Sequence, residues 1–182
     1  MTVLVIASHL SPNGLASILP RTKPAYSKFA EFQTTHQTRL VKPAISFDEG
    51  GAVLSYLPAA GELAGNQVED DDYTFIHLQR DLFKLFRACN VEVSPQKRPG
   101  RCYVTLARFI EPGDHSSGGK STPASMASWV DGIERMNKML KEEYWPHEGD
   151  VAGAGNWIVG GSNSLHIQEG TSWYGGGNSL KF

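Results

Sequence analysis

One amphipathic segment constrains the fold of this chain more than any other feature of its sequence. Apolar side chains recur at helical spacing, at Phe75, Leu78, Leu82, Leu85, Phe86 and Cys89. This spacing puts them on one stripe of a helix, and the charged residues of the segment lie mostly off that stripe. We expect the helix to open at Asp71-Asp72. Its apolar face must be buried against a second layer of structure.

Further helices are expected on both sides of this segment. Thr122-Pro123 has the form of an N-cap followed by a proline at the first helical position. Apolar residues then recur up to Leu140, and the helix is expected to end near Tyr144-Trp145-Pro146. Shorter helices are predicted over residues 15–19, ended by Pro20, and over residues 25–33.

Runs of apolar and β-branched residues between the helices predict strands. They lie at residues 2–7, 40–47, 52–57, 91–94, 101–109, 156–159 and 164–168. Pro43 should break or bulge the second of these. Residues 40–57 read as one hairpin and residues 156–168 as another. This alternation of helices and hairpins predicts one α+β domain over residues 1–182 with a largely antiparallel sheet.

Composition excludes several classes of function. The 182 residues include 40% apolar and 20% charged residues, with a net charge of −2. Such a chain has no general attraction to nucleic acid or to anionic membranes, and no run approaches the ~18 apolar residues of a membrane helix. Cys89 and Cys102 show no metal-ligand spacing, so we expect reduced structural thiols, a cytoplasmic protein, and neither metal nor cofactor.

The strand at residues 101–109 carries the most distinctive chemistry. Residues two apart on a strand share a face, so Tyr103 and Thr105 should point the same way. Two neighbouring hydroxyls can form a small anion site, although such a pattern by itself is most often only structural. Aromatic Trp173 and Tyr174 precede three glycines. These aromatic side chains could either stack against a nucleobase or pack in the hydrophobic core.

The segment Tyr103-Val104-Thr105-Leu106 resembles the second motif of the two-histidine phosphoesterases, His-x-Thr-Leu, with Tyr103 in place of the histidine. The resemblance is strongest to the fungal branch described as RNA ligase/cyclic nucleotide phosphodiesterase-like. It covers nearly the whole chain in order, through residues 39–43, 57–62, 72–74, 77–82, 97–109, 144–146 and 173–177.

This resemblance implies two lobes with largely antiparallel sheets around a central groove and helices outside. In the family, two histidines act as general base and acid on a 2′,3′-cyclic phosphate or a related phosphodiester, and the hydroxyls hold the phosphate. Thr2 matches the first threonine. Its histidine would precede Met1, and the family's first strand and helix would be missing, which leaves the first lobe incomplete. Either a shortened start or a degenerate enzyme explains this pattern.

Three functions follow from the resemblance. The first is a weak or inactive phosphodiesterase with Thr2, Tyr103 and Thr105 at its catalytic site and Trp173 and Tyr174 against the substrate. A phenol, whose ordinary pKa is about 10, is a poor base at neutral pH. General acid–base groups contribute roughly 10²–10⁴-fold each. The second is a non-catalytic module for a nucleotide or RNA end, and the third is a structural or partner-binding protein.

Overall fold

The computed structural model describes residues 1–48, 50–60, 71–94, 100–109, 122–147, 155–161, 165–171 and 176–180. Four α-helices occur within them: α1 (Pro12–Thr22), α2 (Tyr26–Thr35), α3 (Phe75–Ala88) and α4 (Pro123–Tyr144). A 3-10 turn, Lys23–Ala25, joins the first two. None of these helices is both long and apolar enough to cross a membrane.

The described strands form two antiparallel sheets. They are β1 (Thr38–Asp48), β2 (Gly51–Pro58), β3 (Cys102–Arg108), β4 (Trp157–Val159), β5 (Gln168–Thr171) and β6 (Gly176–Ser179). The first four make a curled sheet in the order β3-β2-β1-β4, and the last two pair with each other. The predicted α+β class with antiparallel sheets is confirmed. The expected bulge at Pro43 is also present, since the β1–β2 register shifts between Val41 and Ala44.

Helix α3 supplies the centre of the core, as its apolar stripe predicts. Phe75, Leu78, Leu82 and Phe86 are buried. They cluster with Phe29 of α2 and with residues of the four-stranded sheet. Full burial of such a side chain contributes about 1.5–3 kcal/mol. The helix begins at Phe75 rather than at Asp71-Asp72, because the Thr74 N–H donates to Nδ1 of His77 at 3.1 Å and so caps the first turn.

The prediction of a strand over residues 2–7 is wrong. No strand occurs among residues 1–10, although Val3, Leu4 and Ile6 do pack against the core. Residues 91–94, the other short strand expected, also lie outside any strand. The two segments touch through a hydrogen bond from the Ser94 N–H to the Ile6 carbonyl at 2.8 Å. Apolar burial therefore holds the N-terminal segment without a strand ladder.

Two further predictions from local sequence are wrong. Helix α1 continues through Pro20 to Thr22, because a proline near the end of a helix removes only one late hydrogen bond. The hairpin expected over residues 156–168 does not form either. Instead, β4 pairs with β1, with Thr38 opposite Val159, and β5 pairs with β6.

A buried ion pair joins the start of β1 to the loop before α3. Arg39 forms a bidentate pair with the Asp71 carboxylate, and its Nη1 donates to Oδ1 of Asn156 at 3.4 Å. Both charged side chains are less than one-tenth exposed. Removal of either partner would leave a buried charge uncompensated, so the pair fixes where these three segments meet.

Helix α4 closes one edge of the four-stranded sheet. Because β4 has only three residues, it covers only the start of β1. Farther along, the Asn137 side chain accepts from the Ile45 N–H at 2.7 Å and donates to the Ile45 carbonyl at 2.9 Å. Trp145 Nε1 donates to the Pro43 carbonyl at 2.9 Å. These contacts satisfy main-chain groups that a longer strand would otherwise pair.

Candidate functional site

The β2–β3 register places Tyr103 and Thr105 on the same face of the sheet. Tyr103 lies opposite Ser55, and Thr105 lies opposite Val53. Directly opposed residues share a face, and both Tyr103 and Thr105 are exposed. The structure thus brings together two of the residues that the sequence singled out, on the side of the sheet away from the buried Cys102.

The same face carries two more hydroxyls from the neighbouring strands. Ser46 of β1 lies opposite Val53, in the row that holds Thr105, and Ser55 of β2 lies in the row that holds Tyr103. The Ser46 and Ser55 hydroxyl oxygens are 3.1 Å apart. We call the surface formed by Ser46, Ser55, Tyr103, Thr105 and Arg108 the polar face.

Arg108 belongs to the polar face because of a β-bulge. Ala52 lies opposite Ala107 and Val53 opposite Thr105, so Leu106 is one extra residue in β3. This shift puts Arg108 on the same side as Thr105. The bulge depends on the close approach of Gly51, where a Cβ would overlap the Ala107 carbonyl oxygen. The φ of Gly51 is 152°, a value that favours glycine.

The opposite face of β3 offers no reactive group at neutral pH. Cys102 lies opposite Tyr56 and is buried. Burial raises the pKa of the Cys102 thiol to about 12, and burial also raises the pKa of Tyr56. The thiolate is the nucleophilic form of cysteine, so its burial in the core cluster favours a packing role for Cys102.

Thr2 reaches the neighbourhood of β3 only indirectly. It is exposed and lies in the non-strand N-terminal segment. The next residue, Val3, accepts a hydrogen bond from Gln79 Nε2 at 2.9 Å, and Gln79 Oε1 accepts from the Gly100 N–H at 2.8 Å. Gln79 therefore ties the N-terminal segment to the residue two positions before β3. The predicted role of Thr2 beside Thr105 stays a prediction.

Four described histidines, His9, His36, His77 and His147, form hydrogen bonds with residues close to them in the chain. The ring of His9 contacts Ser8, that of His36 contacts Thr35 and Phe32, and that of His77 contacts Thr74. None of these hydrogen bonds reaches the polar face. Within the described part of the chain, no three His, Cys, Asp or Glu side chains cluster as metal ligands would.

The other expected site residues, Trp173 and Tyr174, lie outside the described residues. Sequence reasoning missed Ser46 and Ser55, and it did not single out Arg108. Alternation along β2 could have placed Ser55 on one face. The pairing register and the bulge, however, decide which residues of three strands stand side by side, and no local pattern encodes them.

Two described hollows lie away from the polar face. A wide-open hollow of about 670 Å³ is bordered by residues including Lys28, Phe32 and His36. A second, of about 240 Å³, lies between the N-terminal segment, α1 and residues 91–94. The polar face is instead an open sheet surface. A ligand there would keep much of its own surface in water, which favours weak and reversible binding.

Comparison of the chain with protein-family models, with curated proteins and with solved structures gave no match. The resemblance to the two-histidine phosphoesterases therefore rests on the sequence segments that carry it.

Proposed function

We propose that the polar face binds the phosphate of a nucleotide or of an RNA end, and that the protein does not turn this ligand over at a substantial rate. The observation that carries the proposal is the exposure of Tyr103 and Thr105 side by side on one face. The sequence resemblance supports it, because the family's motif threonines hold phosphate oxygens.

The chemistry of the polar face suits an anion that accepts several hydrogen bonds. Tyr103 and Thr105 each carry a hydroxyl donor. Arg108, exposed on the same face, adds a positive charge beside them. Ser55 donates to the Ala44 carbonyl at 2.9 Å, so it orients the neighbouring Ser46 more than it contacts a ligand. We expect a dissociation constant on the order of millimolar for a mononucleotide on so open a surface.

Binding is favoured over catalysis because a proton carrier is missing at the motif. Tyr103 stands where the resemblance would require a histidine, and the hydrogen bonds of His9, His36 and His77 go elsewhere. Each absent general acid or base typically costs roughly 10²–10⁴-fold in rate. A phosphate could still be held by the hydroxyls that remain.

Titration of the full chain with 3′-AMP and 2′-AMP, followed by NMR of the backbone amides, tests the proposal. Saturable shifts should centre on Tyr103 and Thr105, and adenosine, which lacks the phosphate, should produce none. Thr105→Val keeps the β-branched shape and loses one hydroxyl, so binding should weaken roughly threefold to tenfold. Thr35→Val, at an exposed threonine of α2, is the matched control and should bind normally.

Two results would count against this function. Shifts of equal size with adenosine would mean that phosphate is not recognised. Hydrolysis of 2′,3′-cyclic AMP that disappears in Tyr103→Phe would show that Tyr103 takes part in turnover, which contradicts the non-catalytic half of the proposal.

A further inference from the structure

The start of α3 uses the ring of His77 as a hydrogen-bond acceptor. The Thr74 N–H donates to Nδ1 of His77 at 3.1 Å, and the Thr74 hydroxyl oxygen lies 3.2 Å from the same nitrogen. Because a main-chain N–H can only donate, Nδ1 must be unprotonated, and the neutral ring carries its hydrogen on Nε2. A glutamate or glutamine usually fills this position of a capping box. Histidine makes the cap sensitive to acid, because an imidazolium donates from both nitrogens.

A second histidine lies at the end of the neighbouring helix and responds to a proton differently. His36 follows α2, and its Nδ1 lies 3.0 Å from the Phe32 carbonyl oxygen. Since a carbonyl oxygen can only accept, Nδ1 of His36 carries a hydrogen, and protonation of the ring leaves this bond intact. A positive charge is also favourable at the C-terminal end of a helix and unfavourable at the N-terminal end. Protonation therefore removes the cap of α3 and leaves that of α2 in place.

We propose that the start of α3 is a pH-sensitive switch, in which protonation of His77 opens the first turn of the helix together with residues 71–74. In acid the Thr74 N–H loses its acceptor, and the imidazolium opposes the helix dipole. The cap therefore stabilises the fold fully above the range in which histidine ordinarily titrates, about pH 6.5, and this stabilisation is lost as the pH falls through that range.

The nearest carboxylate on α3 itself already has cationic partners. Asp81 lies one turn beyond His77 and pairs with Arg80 at 2.9 Å and with Lys84 at 3.4 Å. The hydrogen bond from Arg80 lowers the pKa of the Asp81 carboxyl to about 2, so Asp81 stays ionised and paired while a histidine titrates. An imidazolium at His77 would therefore meet a group of charges that is already compensated, with Arg80 as a like charge three residues away.

The charged groups of the segments next to α3 do not replace the lost hydrogen bond either. Asp71 is held in the buried pair with Arg39. Asp72 is exposed, so water and salt screen its charge. Arg101, just before β3, is also exposed and positive. Among the described residues, these neighbours offer an imidazolium at His77 no new ion pair without breaking one that exists.

The aromatic neighbours of His77 stabilise a positive charge only weakly. The rings of Tyr73 and His77 are stacked with their centroids 5.9 Å apart, which is near the limit of a cation–π contact. Burial and then the nearby Asp81 raise the pKa of Tyr73, so its phenol stays neutral. His36 packs edge-on against Tyr73 at 5.3 Å, and its own protonation would add a like charge on the far side of that ring.

Hydrogen exchange of the full chain tests the switch when it is measured at about pH 7.5 and about pH 5 and corrected for the intrinsic exchange rate at each pH. The Leu78 N–H bonds to the Thr74 carbonyl at 3.0 Å. The amides of Thr74 and Leu78 should each lose about tenfold in protection at the lower pH. The Val91 N–H, which bonds to the Phe86 carbonyl at 3.0 Å beyond the other end of α3, should keep its protection.

Three substitutions by glutamine locate the group that responds to pH. His77→Gln creates the more usual threonine/glutamine capping box, which accepts the same hydrogen bond and does not titrate. Its Thr74 and Leu78 amides should be protected as in the original chain at the higher pH and should stay protected at the lower one. His36→Gln and His9→Gln, the second at an exposed position of the N-terminal segment, should retain the tenfold loss.

NMR of the imidazole nitrogens keeps the proposal testable even if a variant does not fold. At about pH 7.5, Nδ1 of His77 should be unprotonated, and a hydrogen on that nitrogen would refute the cap. Equal protection of the Thr74 amide at both pH values would refute the switch, and loss of the pH effect in His36→Gln instead of His77→Gln would place the sensor on α2. None of these measurements involves the polar face, so their outcome is independent of phosphate binding.

Discussion

The main-chain groups at the two long edges of the four-stranded sheet are treated differently. On the β1 side, where β4 stops after three residues, Asn137 and Trp145 of α4 bond to the main chain of Ile45 and Pro43. On the β3 side, no described strand pairs with the outer side of β3, the terminal strand of this sheet. Within the described residues, one edge is closed by side chains of α4, and the other presents its main chain.

This difference shows that hydrogen-bonding partners at a sheet edge must be identified for each main-chain group separately. A main-chain N–H or carbonyl must find a partner in the protein, in water or in a ligand. Asn137 acts as a substitute strand at one residue, because a carboxamide carries a donor and an acceptor spaced like those of a peptide group. β3 carries no lysine or proline, which are the usual protection of an exposed edge.

The largest loss of stability should come from detaching β3 from β2. Gly51→Ala places a Cβ on the Ala107 carbonyl oxygen and forces an unfavourable φ. We expect a loss of about 2–4 kcal/mol in the free energy of unfolding. Urea unfolding measures it, and faster alkylation of Cys102, which is otherwise buried, would report that β3 has come loose.

Gly132→Ala is the control for this change. A Cβ on Gly132 of α4 meets no atom within 4 Å, so alanine should stabilise the helix by about 0.5–1 kcal/mol. If Gly51→Ala proved as harmless as Gly132→Ala, the bulge would not depend on glycine.

Removing the Asn137 hydrogen bonds on the β1 side of the sheet should cause the next largest loss of stability. Asn137→Leu leaves the Ile45 N–H and carbonyl without their partners. We expect a loss of about 2 kcal/mol by urea unfolding, together with self-association in sedimentation experiments. Lys138→Ala changes an exposed neighbour on the same helix, whose pair with Glu142 spans 3.9 Å, and should cost less than about 0.5 kcal/mol. Equal losses for the two variants would contradict a special role for Asn137.

A smaller loss of stability is expected when the Trp145 hydrogen bond on the same edge is removed. Trp145→Phe retains an aromatic ring and loses the hydrogen bond to the Pro43 carbonyl. Because Pro43 is buried, its carbonyl loses a partner that water does not readily replace, and we expect a loss of about 1 kcal/mol in thermal or urea unfolding. An unchanged stability would mean that water replaces the indole completely.

The smallest change in stability should follow from placing a lysine on β3. Leu106→Lys replaces a side chain that is 53% exposed, so the free energy of unfolding should stay within about 0.5 kcal/mol. Any weak self-association of the original chain should decrease, since lysine disfavours edge-to-edge pairing. Increased self-association, measured by sedimentation over a range of concentrations, would contradict this picture of the edge.

Local sequence signals predicted the elements that depend on local physics. The stripe of α3, the Thr122-Pro123 start of α4 and the β1–β2 hairpin are all present. The N-terminal apolar run was wrongly expected to be a strand, although Val3, Leu4 and Ile6 are partly buried against the core. Burial follows from side-chain chemistry, whereas a ladder needs a partner at the right distance and register.

The candidate site likewise has one part that local sequence predicts and another part that it does not. The period of two along β3 predicted that Tyr103 and Thr105 share a face, and the structure agrees. Ser46, Ser55 and Arg108 join them only through pairing with other strands and through the bulge at Leu106. Asn137 shows the same limit, because it lies 92 positions from the residue that it pairs with.

The buried amide of Gln79 couples the N-terminal segment to the segment that leads into β3. It holds Val3 with one atom and Gly100 with the other, and the residue is only 6% exposed. Loss of either partner would leave half of a buried amide unsatisfied. Order in the N-terminal segment and order at the entrance to β3 are therefore thermodynamically linked, and the coupling free energy between them is the same in both directions.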